Sequence, residues 1–595
     1  MPTRRAAALR LTASALALAA AALPARGETL AEAIALAYAH NPTLQAQRAS
    51  LRATDETYAQ TRAGLGPTLS VGINGTYQEA RGSYYNNTQT GQALGITGHQ
   101  ENRTSSGNVS LTQTLYTGGR TRAALNAAEA NILSARQDLR ATEITIVQQV
   151  ISAYTAVRRD AQVLAAYRDN LSALQRQLEQ TNAEFGVRQV TRTDVDITLG
   201  RVALAQNSVA QAQAQLEISR AQYLNAVGQN PGELAPEPVL ESLPPSLDAA
   251  FDATEAHNTQ LLAAQFAEQS AGFRVAEAKR QYLPTIQAQL SGTIGPVTPY
   301  AQSGLLANQT RVVTGVISLN QPLYTSGLYA SQTRQAIAQQ EQAREQTEAT
   351  RRTAVQNTSV AWSQLIAART QLAADTSAVD ATTRAFYGVR REQPFGLRLP
   401  IDVLNAEQEL NSAQIRLLQD RYNEYAAQVS MLADTGLLEA ALLVPDLDVI
   451  DPTTHFRRVR DIGQTPWEPL VRAADGIGVH GLRDPAPPRQ DDRSDRPRDE
   501  RPLPPAPPPA AELKPFVSAT EIIAREKAGA PPPTSPSAVA EAQPAAPTPA
   551  PGAGSGAGPD LSRCELRQAQ LGLCAAGGAP PAATQNPDAP VATQH

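Results

Sequence analysis

The chain has 595 residues, of which 42% are hydrophobic and only 4% aromatic, and its formal net charge is −5. Much of the apolar share is alanine, which is poor material for one thick globular core but suits thin helical assemblies whose backbones approach closely. Because the net charge is negative and basic patches with interleaved aromatics are missing from the sequence, we expect no nucleic-acid partner.

The first 27 residues predict a secretory signal peptide. A short basic region is followed by an apolar stretch over residues 11–23 and by a small-x-small cleavage site at residues 25–27. That order of parts is typical of a cleaved export signal, so we expect a mature chain starting near Glu28. The mature sequence has no apolar run of about 18 residues, the length that a membrane-spanning helix needs. If the protein spans a membrane, it must therefore do so with strands.

The mature chain contains an internal duplication that is defined by two spacings. The copies lie 217 residues apart up to the first strand and 208 residues apart from the second strand onward. The pairs at 217 residues are Leu30 and Leu247, His40 and His257, Asn41 and Asn258, and Pro67 and Pro284. The pairs at 208 residues are Ser110 and Ser318, Gln113 and Gln321, Tyr116 and Tyr324, and Asp194 and Asp402. This self-similarity predicts one plan used twice, over residues 28–230 and 246–440, with a linker at 231–245.

Each copy reads helix, strand, loop, strand, long helix, turn, helix. The predicted strands are residues 67–78, 107–117, 284–294 and 311–323. Apolar residues alternate in them with small or polar ones, which in an outer-membrane barrel places lipid on one face and a wet lumen on the other. The segments about 78–106 and 295–309 are rich in Gly, Asn, Ser, Thr and Gln and predict exposed loops.

The helical parts carry heptad repeats. Apolar residues recur every seven positions at Leu125, Ile132, Leu139 and Ile146, and again at Val195, Val202, Val209, Leu216 and Tyr223. A sustained heptad indicates coiled-coil packing. The stretch from residue 120 to 185 has no proline, and a helix of about 65 residues rises roughly 100 Å. We expect the same pair of helices in the second copy, over about 327–389 and 401–433.

The composition changes after the second copy. Of the 43 prolines, 24 lie at or after Pro485, and such a segment cannot bury enough apolar surface to fold. We therefore predict a disordered periplasmic tail over residues 481–595. Its two cysteines, Cys564 and Cys574, either pair in an oxidising compartment or remain two unimportant thiols.

The number of strands makes an oligomer necessary. Two strands per copy give four, and an open sheet edge in hydrocarbon leaves backbone groups unsatisfied at a cost of several kcal/mol each. Outer-membrane barrels begin at about eight strands. Two, three or four subunits must therefore pool their strands, and this argument alone does not choose among 8, 12 and 16 strands.

Two motifs carry a resemblance to a known family. Residues 110–117 and 318–325 share the pattern Ser-Leu-x-Gln-x-Leu-Tyr-Thr, and residues 402–410 read Asp-Val-Leu-Asn-Ala-Glu-Gln-Glu-Leu. Together with the duplicated plan over about 28–445, they resemble the TolC family of outer-membrane efflux and secretion proteins. The resemblance implies a mixed fold of membrane β-barrel and α-helical coiled-coil tunnel, in which a homotrimer builds one 12-stranded barrel in outer-membrane lipid and a 12-helix periplasmic tunnel. Residues 386–392 resemble the alphaproteobacterial type I secretion branch.

The resemblance also implies a constriction at the periplasmic tip. Asp402 corresponds to an inner acidic ring, and Asn405 stands where many relatives carry a second acid. Arg398 and Asp194 correspond to positions that tie neighbouring helices together in the closed state. Three-fold symmetry would turn one aspartate into three close carboxylates that attract cations. The alternative is that Asp402 caps its helix, and that Arg398 and Asp194 are solvated turn charges.

Other residue types that often carry chemistry favour structural roles here. His40 and His257 have no carboxylates or cysteines at ligand spacing, so we expect each to close a helix rather than to bind a metal. Glu407 and Glu409 lie on a heptad-bearing helix, which argues against a paired-carboxylate enzyme. We therefore expect neither an enzyme nor a cofactor.

These observations predict the passive exit duct of an export system at the cell outer membrane. By resemblance, residues 441–480 pack on the outside of the tunnel, and the turns near 186–193 and 390–400 meet a periplasmic adaptor and an inner-membrane ABC or RND transporter. The predicted role is type I protein secretion, drug efflux or both. One alternative is a dedicated multidrug or metal efflux duct, and a remote one is a periplasmic coiled-coil protein without a pore.

Overall fold

The computed structural model describes residues 27–87, 93–240, 242–295, 310–445, 447–476, 496–497, 499 and 501–508. The chain divides into two units, Met1–Pro533 and Thr534–His595, and all described residues lie in the first. Residues 1–26 of the predicted signal peptide 1–27, residues 296–309 of the predicted loop 295–309 and both tail cysteines lie outside the described residues.

The two copies contain the same elements in the same order. In the first copy these are α1 (Leu30–His40), α2 (Pro42–Ala63), β1 (Pro67–Asn87), β2 (Ala93–Tyr116), α3 (Arg120–Gly186) and α4 (Arg192–Val227). In the second they are α5 (Leu247–His257), α6 (Thr259–Lys279), β3 (Thr285–Gly295), β4 (Thr310–Asn320), α7 (Leu328–Glu392) and α8 (Pro400–Asp434). Three short helices follow, α9 (Ala440–Leu443), α10 (Thr453–Arg460) and α11 (Glu468–Asp475).

The long helices confirm the predicted coiled coils. Helix α3 has 67 residues and α7 has 65, and each packs along the shorter helix that follows it. All the predicted heptad positions of α3 and all but Val209 of α4 are buried. Both long helices start after a glycine in the left-handed region, Gly119 (φ 73°) and Gly327 (φ 81°), where a side chain would be strained. None of the described helices is both long and apolar enough to cross a bilayer.

The strands form one antiparallel sheet in the order β1-β2-β3-β4. The first hairpin is longer than predicted, because β1 continues to Asn87 and β2 begins at Ala93, within the segment predicted as the loop 78–106. Its polar composition suggested a loop, but an antiparallel partner satisfies the backbone of a polar strand as well as that of an apolar one. Strand β4 ends at Asn320 rather than residue 323, since Pro322 cannot donate to the ladder.

The pairing gives the sheet two different faces. One face carries the cross-strand rows Leu69–Leu111–Leu290 and Val71–Val109–Gly292–Val313. These apolar side chains are exposed, to 71% at Val71 and 79% at Val313. The opposite face carries the row Ser70–Ser110–Ser291–Thr314, in which the Oγ atoms of Ser70 and Ser110 lie 2.7 Å apart.

The segment after the second copy contacts the first copy. Glu468 of α11 forms a buried ion pair with Arg62 of α2, at 2.7 Å between Oε1 and Nε. Asp475 accepts hydrogen bonds from the backbone N–H of Thr117 at 2.6 Å and of Gly119 at 3.0 Å. A carboxylate in this position satisfies N–H groups at the start of α3, so the segment fixes the junction between β2 and the first long helix.

The predicted disorder of residues 481–595 does not hold at one place. The described residues between Arg496 and Pro508 lie against helices of the second copy, where Leu503 packs on a buried cluster. A proline-rich sequence was expected to stay solvated because it forms no hydrophobic core of its own. It can nevertheless be ordered when it packs on a surface that the helices have already formed. For the rest of the tail, disorder stays a prediction.

Candidate constriction at the helix turns

Two helical hairpins, α3–α4 and α7–α8, meet close to their turns. Leu404, in the first turns of α8, packs with Leu174 of α3 and with Val202 and Ala205 of α4. On its other side α8 packs on α7 through the buried residues Phe386, Val403 and Leu410. The start of α8 is therefore held between both hairpins, and this is where the predicted site residues lie.

Asp194 lies in the first turn of α4 and forms a reciprocal cap with Thr191. Its Oδ2 accepts hydrogen bonds from the backbone N–H of Thr191 at 2.8 Å and from the Thr191 hydroxyl at 2.7 Å. The Thr191 hydroxyl in turn accepts from the N–H of Asp194 at 3.3 Å. These bonds stabilise the carboxylate and lower the pKa of Asp194. The residue thus acts as a helix cap in the subunit.

Asp402 occupies the matching position in α8, and its Oδ2 accepts a hydrogen bond from the N–H of Leu399 at 3.1 Å. The helix begins with Pro400, whose fixed φ suits the first helical position. The capping alternative is therefore realised, and because the carboxylate has a second oxygen, a role in a lumen remains compatible with it.

Asn405 forms a hydrogen bond with the other hairpin. Its Oδ1 accepts a hydrogen bond from Nη2 of Arg201 on α4, at 3.2 Å. This contact joins the two hairpins one helical turn after Asp402. Arg201 was not identified from the sequence, because nothing in a single heptad pattern shows which polar residues of two separate hairpins will face each other.

Arg398 and Asp194 are not joined to each other in the subunit. The Nε of Arg398 lies 2.9 Å from Oε2 of Glu392, and both side chains are about half exposed. This carboxylate raises the pKa of Arg398 further. Each predicted gating residue thus has a partner within its own turn.

Glu407 is a further residue of this region, which the sequence analysis placed on a heptad-bearing helix without a role at the constriction. It is 5% exposed, and its Oε1 has no hydrogen-bond partner among the described residues. Burial raises the pKa of Glu407 to about 7, against the opposing charges of Arg390 and Arg176. Its neighbour in sequence, Glu409, is exposed. The heptad pattern could have placed Glu407 towards the helix interface, one turn after Val403.

The arrangement at the turns offers polar and ionic contacts between helices. Across the residues with assigned positions, no group of three or more His, Cys, Asp or Glu side chains could hold a metal ion. His40 and His257 are the last residues of α1 and α5, as predicted. Chemically, the turns combine caps, an inter-hairpin hydrogen bond and a buried carboxyl group, which can set how firmly the helices are held together.

Comparisons with known proteins agree with this architecture. The family model described as outer membrane efflux protein matches residues 33–229 and 251–437, which are the two copies. The outer membrane efflux protein BepC of Brucella suis biovar 1 is 30% identical over 437 residues, which cover 73% of this chain and 91% of that protein. TolC of Escherichia coli is 25% identical over 473 residues, covering 76% and 90%.

A third relative and two solved structures are also similar. The alkaline protease secretion protein AprF of Pseudomonas aeruginosa is 27% identical over 354 residues, covering 56% of this chain and 70% of that protein. The CmeC outer membrane channel of Campylobacter jejuni has a TM-score of 0.59 at 13% identity, covering 73% and 89% of the two chains. VceC of Vibrio cholerae has a TM-score of 0.56 at 19% identity, covering 68% and 96%. The chain therefore belongs to the outer membrane efflux protein family.

Proposed function

We propose that this chain is the exit duct of a tripartite export system in the outer membrane, a passive conduit formed by three subunits. The observation that carries the proposal is the four-stranded sheet, which has one apolar exposed face and one hydroxyl-lined face. Such a sheet is unsuited to water on its apolar side, and its edges β1 and β4 have no partner strand among the described residues. Pooling three sheets closes one 12-stranded barrel and satisfies every edge.

The helices supply the rest of the duct. Two hairpins in each of three subunits give 12 helical segments around a common axis, packed as antiparallel coiled coils. Because the long helices rise roughly 100 Å, they can extend into the periplasm. The signal peptide is cleaved near Gly27, and the turns near 186–193 and 390–400 meet a periplasmic adaptor that is coupled to an inner-membrane ABC or RND transporter. The duct catalyses no reaction and binds no cofactor. It is passive because the transporter supplies the energy for export.

The constriction is the point at which the duct is closed. Asp402 of three subunits forms an acidic ring and Asn405 lies beside it, while Asp194 and Arg398 link neighbouring subunits. Cysteine substitutions at these last two positions, Asp194→Cys and Arg398→Cys, test the link in the natural trimer. Oxidation is expected to join neighbouring subunits through a disulfide and to abolish export. Recovery of only unlinked subunits after oxidation would contradict the link.

The cargo is proposed to include secreted proteins as well as small toxic molecules. AprF is a secretion protein and BepC an efflux protein by name, and the chain resembles both. Deletion of the gene is expected to remove a secreted protein from the culture medium and also to lower drug tolerance. Loss of drug or metal tolerance alone would favour a dedicated efflux duct.

Purified protein in planar bilayers tests the duct itself. Discrete single-channel conductance, with three-fold particles in electron micrographs, is expected. A protein that stays soluble without detergent and gives no conductance would instead be a periplasmic coiled-coil protein without a pore.

A further inference from the structure

The described part of the tail between Arg496 and Pro508, here called the strap, is anchored at its first residue. Nη1 of Arg496 lies 2.8 Å from Oδ1 of Asp252, and Nη2 lies 2.9 Å from Oε2 of Glu255, both on α5. The guanidinium also lies 5.7 Å from the centre of the Phe251 ring. The Arg496 side chain is only 7% exposed. A solvated tether would not bury an arginine between two carboxylates and an aromatic ring.

The middle of the strap combines one apolar side chain with one backbone acceptor. Leu503 packs on the buried cluster that contains Phe251 and Trp362. Arg369 of α7, itself buried, donates from Nη1 to the carbonyl oxygen of Pro504 at 2.9 Å and from Nε to Glu424 at 3.1 Å. Extended proline-rich segments have no internal hydrogen bonds, so a fixed donor of this kind is what positions them.

The linker between the two copies makes contacts of the same kinds with α3 of the first copy and α8 of the second. Leu234 and Leu240 belong to the cluster that contains Tyr154. The hydroxyl of Tyr425 donates to the carbonyl oxygen of Pro238 at 3.2 Å. Glu237 supplies the ionic anchor through its ion pair with Arg158. The linker thus also combines apolar side chains, a proline carbonyl acceptor and an ion pair.

The repeat spacing relates the two sites. Tyr154 and Trp362 are 208 residues apart, and each lies fully buried in the cluster that its extended segment covers. Both segments also border one cavity of about 460 Å³ among α3, α7 and α8, which residues 237–240 and 506–508 help to line. The two segments are therefore similar in their contacts but are not related by the repeat, since the 208-residue spacing pairs the linker with residues 439–453.

We infer that the second copy has a groove for an arginine-anchored proline-rich peptide, and that the described residues of the strap occupy it in cis. The groove consists of the α5 carboxylates, the Phe251–Trp362 cluster and the Arg369 donor. Aromatic-lined grooves with fixed donors are a common means of recognising extended proline-rich chains.

Peptide binding to the emptied groove tests the inference. Protein in detergent is prepared in three forms: the full chain, a form ending at Ala510 and a form ending at Gln490. A fluorescent peptide of residues 495–509 is expected to bind the form ending at Gln490 saturably, with one site per subunit. It should bind the other two forms at least tenfold more weakly, because their groove is filled. A peptide carrying Arg496→Glu and Leu503→Asp is the control and should lose binding at least tenfold.

A charge exchange in the full chain tests the same contact without truncation. Arg496→Glu is expected to raise hydrogen exchange of the α5 amides at least tenfold, and Asp252→Arg with Glu255→Arg in the same chain should restore protection. Equal binding of both peptides, absence of saturable binding to the form ending at Gln490, or unchanged exchange in Arg496→Glu would each overturn the inference.

Discussion

Nη2 of Arg201 on α4 lies 3.2 Å from Oδ1 of Asn405 on α8, so one hydrogen bond joins the two hairpins through residues that are 204 positions apart in the chain. It lies beside the apolar contact of Leu404 with Val202 and Ala205. A polar link next to a small apolar contact can hold two hairpins together and still release them, because an exposed polar pair contributes little stability.

Arg201→Ala is expected to loosen the closed end of the duct, because it removes this link and leaves the apolar contact. The loss should be about 0.5–1.5 kcal/mol, the usual net contribution of one hydrogen bond, and the closed-state conductance in planar bilayers should rise. Asn405→Asp should leave the conductance unchanged or lower it, since the acceptor becomes charged. Arg192→Ala is the matched control, because Arg192 pairs with Asp196 of its own helix. Equal conductance of Arg201→Ala and the natural protein would contradict the role.

Asp402→Asn is expected to weaken block of the channel by a trivalent cation at least tenfold. Three symmetry-related carboxylates attract such an ion strongly, whereas the amide keeps an oxygen for the N–H of Leu399 and so preserves the helix start. Glu409→Gln removes a charge from an exposed position of the same helix and serves as control. If both variants are blocked like the natural protein, the acidic ring is not at Asp402.

Glu407→Gln is expected to change how stability depends on pH. The unfolded chain ionises this group near 4.5 and the folded chain only near 7, so between these values the folded state holds more protons and its stability falls as pH rises. The amide removes that fall and should stabilise the protein at pH 8 by about 1–3 kcal/mol. Thermal unfolding from pH 4 to 8 measures it, and parallel curves for variant and natural protein would refute the prediction.

A second buried carboxyl group provides a comparison for that experiment. Burial and the neighbouring Asp375 raise the pKa of Asp420 to about 7. Asp420→Asn should therefore remove its own share of the same decline, and the double variant should lose more of the decline than either single variant.

Val71→Arg is expected to impair insertion into the outer membrane, because the side chain lies on the apolar exposed face of the sheet. A cation on the lipid face of a barrel costs about 2–4 kcal/mol near the bilayer centre. Ser70→Arg places the same charge one residue away on the hydroxyl-lined face and should insert normally. Heat-resistant trimers in membrane fractions report insertion, and equal insertion of the two variants would contradict the assignment of the faces.

The long helices could be predicted from sequence because a heptad is a local property. Leu125 and Ile132 repeat within one helix, and the glycines at Gly119 and Gly327 indicate where the helices begin. The duplication added independent support, since both copies follow the same order.

The contacts between elements could not be predicted in the same way. The Arg201–Asn405 bond depends on how two hairpins cross, and the burial of Glu407 depends on what packs over it. The length of the β1–β2 hairpin depends on pairing, not on composition. The strap was missed because a high proline content predicts that a segment cannot fold alone. It does not predict whether another part of the chain offers a surface on which the segment can pack.

The open edges of the sheet have a genetic consequence. If three subunits must close one barrel through β1 and β4, a single subunit with a defective edge strand prevents closure even when the other two subunits are intact. In a cell that makes intact and edge-defective chains in equal amounts, random mixing leaves only about one ring in eight fully intact. Mutations at the strand edges should therefore be dominant, whereas simple loss of the gene is recessive.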